Sequence, residues 1–206
     1  MQSGVLPPKV AQQILEAAGL RFPSQVELTD KSELEHISFA FPWVMKVMGV
    51  LHKSDVGGVQ VGIKTLEDAR LAWDQLTQIE NACGCLIQQL VTGTEVLIGA
   101  NREEGFGHLV GFGLGGIYTE TFKDVNFALA PLSDHEAQKM IHSLRSFSLL
   151  EGARGQLGTD IELLKDWLIL IGILVNDFPQ IRELDLNPVK GFGRDIYVVD
   201  ARMILD

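Results

Sequence analysis

Oxygen-bearing side chains alternate along "RELDLNPVKGFGRDIYVVDAR", residues 182–202. In an extended strand Leu184 and Leu186 face one way, and Glu183, Asp185 and Asn187 face the other. Pro188 and a glycine-bearing turn send the chain back, and a second run places Asp200 on one face with Ile196 and Val198. If the two runs form a hairpin, Asp200 falls beside Asp185 and Asn187, in a register that spacing alone does not fix. A few carboxylates with an amide suit Mg2+, which keeps several waters and shares them with phosphate oxygens. The competing reading is the solvated polar face of an amphipathic hairpin. Two features weigh against it: carboxylates opposed across strands repel without a cation, and Asp200 ends a run too apolar for an open surface.

A second cluster is "HKSDVGGV", His52 to Val59. It lies between two β-runs, so it lacks the helix N-terminus that a Walker A loop sets behind its phosphates. Gly57 and Gly58 can still bring backbone N–H groups close to a polyphosphate. A long hairpin turn explains the same glycines equally well. In "WVMKVM" the alternation sets Lys46 on a face with Val44 and Met48, where a lysine either snorkels to an edge or meets an anion. Arg154 in "EGARGQLG" has the fork geometry for a phosphate, although loop arginines are commonly just exposed. "FGLGGIYTETFKD" lacks the spacing and the following helix of a dinucleotide fingerprint, which favours close backbone packing. The histidines at 36, 108, 135 and 142 are isolated and carry no assigned chemistry.

These groups need scaffolding, and the chain supplies it. Helical patterns run through "PPKVAQQILEAAGL", through a stretch opened by Thr65, through one opened by Ser133 with Glu136 three residues on, and from about Asp160 to Asp177. β-runs include "WVMKV", "VQVGI", "CLIQQLV", "EVLIGA", "HLVGFGL", "FALA", "ELDL" and "IYVVD". That order predicts an α+β fold with mainly antiparallel sheets. At 206 residues and 46% hydrophobic content, the chain can bury a real core. A net charge of −10 without a basic stripe argues against nucleic acid as a partner. "WLILIGILV" is too short to span a bilayer. The opening residues show no signal peptide, and the only cysteines, Cys83 and Cys85, form neither a disulfide framework nor a zinc site. A cytoplasmic location away from membranes is the expectation.

Taken in order, "VMKV", "HKSDVGGV", "GTEVLIGA", "FGLGGI", "KDV", "GARG", "ELDLNP" and "VVDARMIL" resemble the ATP-grasp domain of NDP-forming acyl-CoA synthetases, the ADP-forming acetyl-CoA synthetase family. A more distant similarity is to the nucleotide-binding part of the succinyl-CoA synthetase beta subunit. The resemblance implies two lobes whose antiparallel sheets grip ATP or ADP with Mg2+: a leading helix in 1–21, a small lobe with a phosphate flap in 22–87, and a large lobe with the metal site in 88–206. It implies Lys46 as a phosphate contact, Gly57 and Gly58 as the flap, Gln88 near the adenine, Glu95 against the nucleotide or its metal, and Asn187 and Asp200 as Mg2+ ligands, with Arg154 left as a nucleotide-phosphate contact. Asp185 matches a position that steadies an incoming phosphohistidine loop. His52 matches a second phosphoryl carrier, in keeping with the nucleophilicity of neutral imidazole. The implied partner is a CoA-binding and ligase alpha subunit, or fused domains, carrying the primary phosphohistidine loop. The chain departs from the family in a shortened segment between Lys46 and His52, and in His108, which stands where the family shows proline. A second function compatible with the same residues is a nucleotide-sensing module without turnover, such as one fused to a protein acetyltransferase.

Overall fold

A computed structural model describes residues 4–50, 53, 56–116, 124–152 and 157–206. The chain opens with β1 (Gly4–Val5) and α1 (Pro8–Ala17), then builds β2 (Gln25–Leu28), a 3-10 turn (Lys31–His36), β3 (Trp43–Met48), β4 (Val59–Ile63), α2 (Leu66–Leu76) and β5 (Gly84–Gln89). It continues through β6 (Thr94–Glu103), β7 (Gly107–Leu114), β8 (Val125–Leu129), α3 (Asp134–His142), α4 (Phe147–Leu150), α5 (Ile161–Asp177), β9 (Ile181–Phe192), β10 (Asp195–Val198) and β11 (Ala201–Leu205). Two compact units result: residues 23–91, and residues 1–22 together with 92–206.

The smaller unit is a four-stranded sheet ordered β2-β5-β3-β4, every pairing antiparallel. Alternation on β3 sends Trp43, Met45 and Val47 into a core with Ile87, Cys85, Ile63 and the α2 residues Ala69, Ala72, Trp73 and Leu76. α2 starts where it does because the Thr65 hydroxyl accepts the Asp68 N–H. Cys83 and Cys85 are both free, and burial pushes the Cys85 thiol up to about 11.

The larger unit is a seven-stranded antiparallel sheet ordered β1-β11-β9-β6-β7-β8, with β10 also paired to β9. Val96, Ile98, Ala100, Val110, Phe112, Leu114, Leu184 and Leu186 share one core with Leu15, Ile141, Leu164, Leu168 and Ile171 of the helices. α3 is fixed at its start by a reciprocal capping box between Ser133 and Glu136, and α5 by the Asp160 carboxylate accepting the Leu163 N–H. No helix among the described residues is long and apolar enough to cross a membrane.

The expected divisions differ from these units in two places. Residues 1–21 are not a segment apart, because Ala11 and Leu15 of α1 belong to the core of the larger unit. The boundary also falls at 91/92 rather than 87/88. β5 is an inner strand paired on both sides, so Gln88 and Gln89 stay in the smaller unit.

Candidate functional site

The acidic strand pair is built around a bulge. Val96 pairs with Val189 while Ile98 pairs with Leu186, so β9 spends Asn187 and Pro188 where β6 spends only Leu97. The phase of burial changes there: Leu184 and Leu186 point inward before the bulge, Val189 and Gly191 after it. The neighbouring strand breaks at the same level, between β10 and β11. The Val199 N–H donates to the Pro188 carbonyl at 2.9 Å, and the Asn187 N–H donates to the Asp200 carbonyl at 3.2 Å. Asn187 and Asp200 are therefore direct neighbours, and both side chains are exposed.

The strand alternation expected from the sequence fails at one residue. Asp200 does not share a face with Ile196 and Val198. Those two are fully buried, whereas Asp200 is exposed, because the strand ends at Val198 and its alternation does not carry through the break.

Asp185 lies opposite Gly99 on β6 and Arg202 on β11. Burial pushes its carboxyl above the usual range, Glu183 and Asp200 add to the rise, and Arg202 opposes it. Asp185 thus lies within reach of the charges of Glu183, Asp200 and Arg202. No cluster of three or more His, Cys, Asp or Glu suited to a metal occurs among the described residues. An amide and one carboxylate still fit Mg2+, which takes one or two protein oxygens and draws the rest from water and phosphate.

Glu95 stands three strand positions from this pair, on β6. Its carboxylate meets Lys190 at 2.9 Å across the strands, and its carbonyl accepts the Gly115 N–H at 2.8 Å. A Cβ on Gly113 would meet the Asp124 carbonyl oxygen at 2.6 Å and one on Gly115 the Glu95 carbonyl carbon at 3.3 Å, so close backbone packing is what the structure contains over the described part of "FGLGGIYTETFKD". Lys190 went unrecognised in the sequence. The bulge shifts it onto the face of Asn187, and strict alternation from Asn187 assigns it to the other.

In the smaller unit Lys46 is 6% exposed and sits on an inner strand, so it is not a snorkelling surface lysine. Its register partners are Val59 and Leu86. Val44, one alternation away, lies opposite Gln88, which is fully buried and donates its amide to Gln25 Oε1 at 2.6 Å. Gly58 accepts the Val47 N–H at 2.8 Å and donates to the Lys53 carbonyl at 2.7 Å. Each glycine of the pair has its own reason. Gly57 has φ +68° in open space, whereas a Cβ on Gly58 would meet Val47 Cγ1 at 2.6 Å. His52 and Arg154 lie outside the described residues.

Two further polar groups have structural work. His108 is buried, with Nε2 2.5 Å from the Ile181 carbonyl. Asp124 is buried and accepts the N–H groups of Arg145 at 3.0 Å and Ser146 at 2.9 Å, together with the Ser146 hydroxyl. Burial is the largest influence and acts to raise its carboxyl. The bonds from Ser146 and Arg145, with the Arg145 charge, outweigh it and hold the group below the usual carboxylate range.

Comparison with known proteins joins these observations. The pattern of the ATP-grasp domain matches residues 1–205. The chain is 36% identical over 207 residues to the beta subunit of ADP-forming acetate–CoA ligase I of Pyrococcus furiosus, covering 95% of this chain and 89% of that one. It is 36% identical to ADP-forming acetate–CoA ligase I of Archaeoglobus fulgidus, but there it spans only 30% of the relative's length. Dinucleotide-forming acetyl-coenzyme A synthetase 1 of Korarchaeum cryptofilum, solved with coenzyme A and Ca-AMPCP, superimposes with a TM-score of 0.90 at 37% identity, covering 98% of this chain and 94% of that one. In its Mg-AMPPCP complex, with a TM-score of 0.84 and 38% identity, the phosphohistidine segment of that enzyme points towards its nucleotide-binding site. The mixed helices and antiparallel sheets described above are thus an ATP-grasp fold, and the chain belongs to the family of ATP-grasp domains found in the ADP-forming acetate–CoA ligases.

Proposed function

We propose that this chain is the nucleotide-binding component of an NDP-forming acyl-CoA synthetase, a ligase that passes a phosphoryl group between ATP or ADP and a phosphohistidine. The observation that carries the reading is the bulged strand pair. It sets Asn187 beside Asp200, next to a perturbed Asp185, in a chain similar throughout to an enzyme solved with Mg-AMPPCP. The overall reaction is acyl-CoA, ADP and phosphate going reversibly to acid, CoA and ATP. The acyl and CoA chemistry belongs to a CoA-binding and ligase partner, separate or fused, that carries the primary phosphohistidine loop.

In this reading Asn187 and Asp200 hold Mg2+, which neutralises charge on the nucleotide phosphates. Lys46 contacts those phosphates from an inner strand, where it is 6% exposed. Gly57 presents its backbone N–H above the phosphates, Gly58 anchors the flap through its bond to the Lys53 carbonyl, and Arg154 adds a guanidinium. Gln88, already oriented by Gln25, reads the base. Glu95 reaches the nucleotide side, and its ion pair with Lys190 orients its carboxylate. In the forward step a β-phosphate oxygen of ADP attacks the phosphorus of phosphohistidine. The P–N bond breaks as the P–O bond forms, and the released imidazole nitrogen takes up a proton. Asp185 steadies the incoming imidazole, and His52 serves as an intermediate acceptor of the same group. Rate enhancement rests on alignment and charge neutralisation.

Calorimetric titration with Mg-ATP tests the reading. One equivalent binds to the wild type, and Asp200→Ala weakens binding by at least about tenfold, or ~1.4 kcal/mol. A wild-type chain that takes up no Mg-ATP contradicts it.

A further inference from the structure

Strand β8 ends the seven-stranded sheet, and no strand among the described residues pairs with its outer edge. The Ala130 N–H donates to the His108 carbonyl, and the register runs Leu109–Leu129, Gly111–Phe127, Gly113–Val125. In an antiparallel ladder this phase turns the backbone N–H and C=O groups of Val125, Phe127 and Leu129 away from β7, towards the free edge. The side chains alternate in step. Asn126 donates to the Met140 carbonyl of α3, and Ala128 packs against the core, so these two mark the helix side. Val125, Phe127 and Leu129 point to the other face, with Phe127 62% and Leu129 48% exposed.

Edge strands are normally blunted by lysine, proline, a bulge or an inward charge. "VNFAL" has none of these. Outward-facing apolar side chains and edge-facing backbone groups on the same three residues, Val125, Phe127 and Leu129, describe a strand built to be covered.

The face also leads somewhere. Phe127 lies opposite Gly111, Gly111 opposite Gly99, and Gly99 opposite Asp185. Three strand spacings, about 15 Å, separate Phe127 from Asp185, and the positions between them carry no side chain. The Phe127 ring itself rests over Gly111, where an added Cβ would meet it at 3.0 Å.

What must contact this chain follows from the length of the enzyme. In a single-chain relative the matching part is 30% of the whole, and in a two-subunit relative it is 89% of the beta subunit. Most of such an enzyme therefore lies outside this chain. We infer that β8 is the docking strand for the CoA-binding and ligase part of the enzyme: an extended apolar segment of that partner pairs with the free edge and packs on Phe127 and Leu129. From that anchor the glycine-floored row leads its phosphoryl-bearing loop to Asp185. The inference rests on the proposed function for the identity of the occupant.

The test uses the complex of this chain with the CoA-binding and ligase subunit of the same enzyme. Complex affinity is measured by sedimentation, and Mg-ATP affinity of the chain alone by calorimetry. The first readout tests the docking strand and the second the functional reading, so each fails separately. Phe127→Asp and, as an independent variant, Leu129→Asp weaken the complex at least tenfold while Mg-ATP affinity stays at the wild-type value. Phe106→Asp, which removes a side chain 74% exposed on the β6–β7 turn, leaves the complex intact. Unchanged complex affinity in both β8 variants overturns the inference. A wild-type chain that dimerises alone, and is made monomeric by Phe127→Asp, also overturns it by assigning the strand to a second copy.

Discussion

Asp124 holds together a turn that its own neighbourhood in sequence does not announce. Three donors from Arg145 and Ser146 converge on its carboxylate, which joins the start of β8 to the approach of α4. With the amide in place of the carboxylate, one acceptor oxygen becomes a donor facing donors. Asp124→Asn is therefore expected to cost about 1–3 kcal/mol near neutral pH. The pH dependence has a definite sign. The folded-state carboxyl is held below its ordinary value, so its stabilisation is complete above the unfolded value near 4 and is lost as pH falls through the lowered one. Thermal melting of wild type and Asp124→Asn should thus diverge most above pH about 5 and converge in acid. A gap that stays constant down to pH about 2 contradicts this account. Lys46 shows the opposite situation, a charge whose setting was legible. Its place among Val44 and Met48 follows from strand alternation, and the structure buries it on that face. Nothing local marks Asp124, because its donors lie more than twenty residues further on.

At the scale of elements, the loop between β3 and β4 separates two kinds of glycine. Gly58 is needed because another backbone passes close: an added Cβ would meet Val47 Cγ1 at 2.6 Å and the Lys53 carbonyl at 2.8 Å. Gly57 is needed only for its φ of +68°, with open space around it. Gly58→Ala should destabilise the chain by about 1–3 kcal/mol through overpacking. Gly57→Ala should cost roughly 1–2 kcal/mol through backbone strain alone. Chemical denaturation of the two variants checks the order, and a Gly57 variant less stable than the Gly58 variant would contradict it. The elements themselves were largely readable. Periodicity placed the main helices, and the capping residues Thr65, Ser133 and Asp160 fixed their starts. The bulge at Asn187–Pro188 was not readable. It depends on β6 spending one residue where β9 spends two, a property of the pairing rather than of either strand. That irregularity moved Lys190 to the face of Asn187, and the break between β10 and β11 left Asp200 exposed.

At the scale of the whole chain, ordered motifs across nearly all of its length carried the family, and the fold follows from the same motifs. The division into units was harder to read. α1 lies early in the chain yet packs with residues 92–206, and only long-range contact reveals that. Phosphoryl transfer between nucleotide and histidine is the activity that the site residues would serve. It is tested most directly by incubating the chain and its CoA-binding partner with γ-labelled Mg-ATP, then measuring acid-labile, base-stable label on protein. Such label is expected on wild-type protein, and its loss in Asp200→Ala. Mg-ATP that binds to the wild type yet leaves no label on any histidine would contradict the claim and leave a nucleotide-sensing module instead.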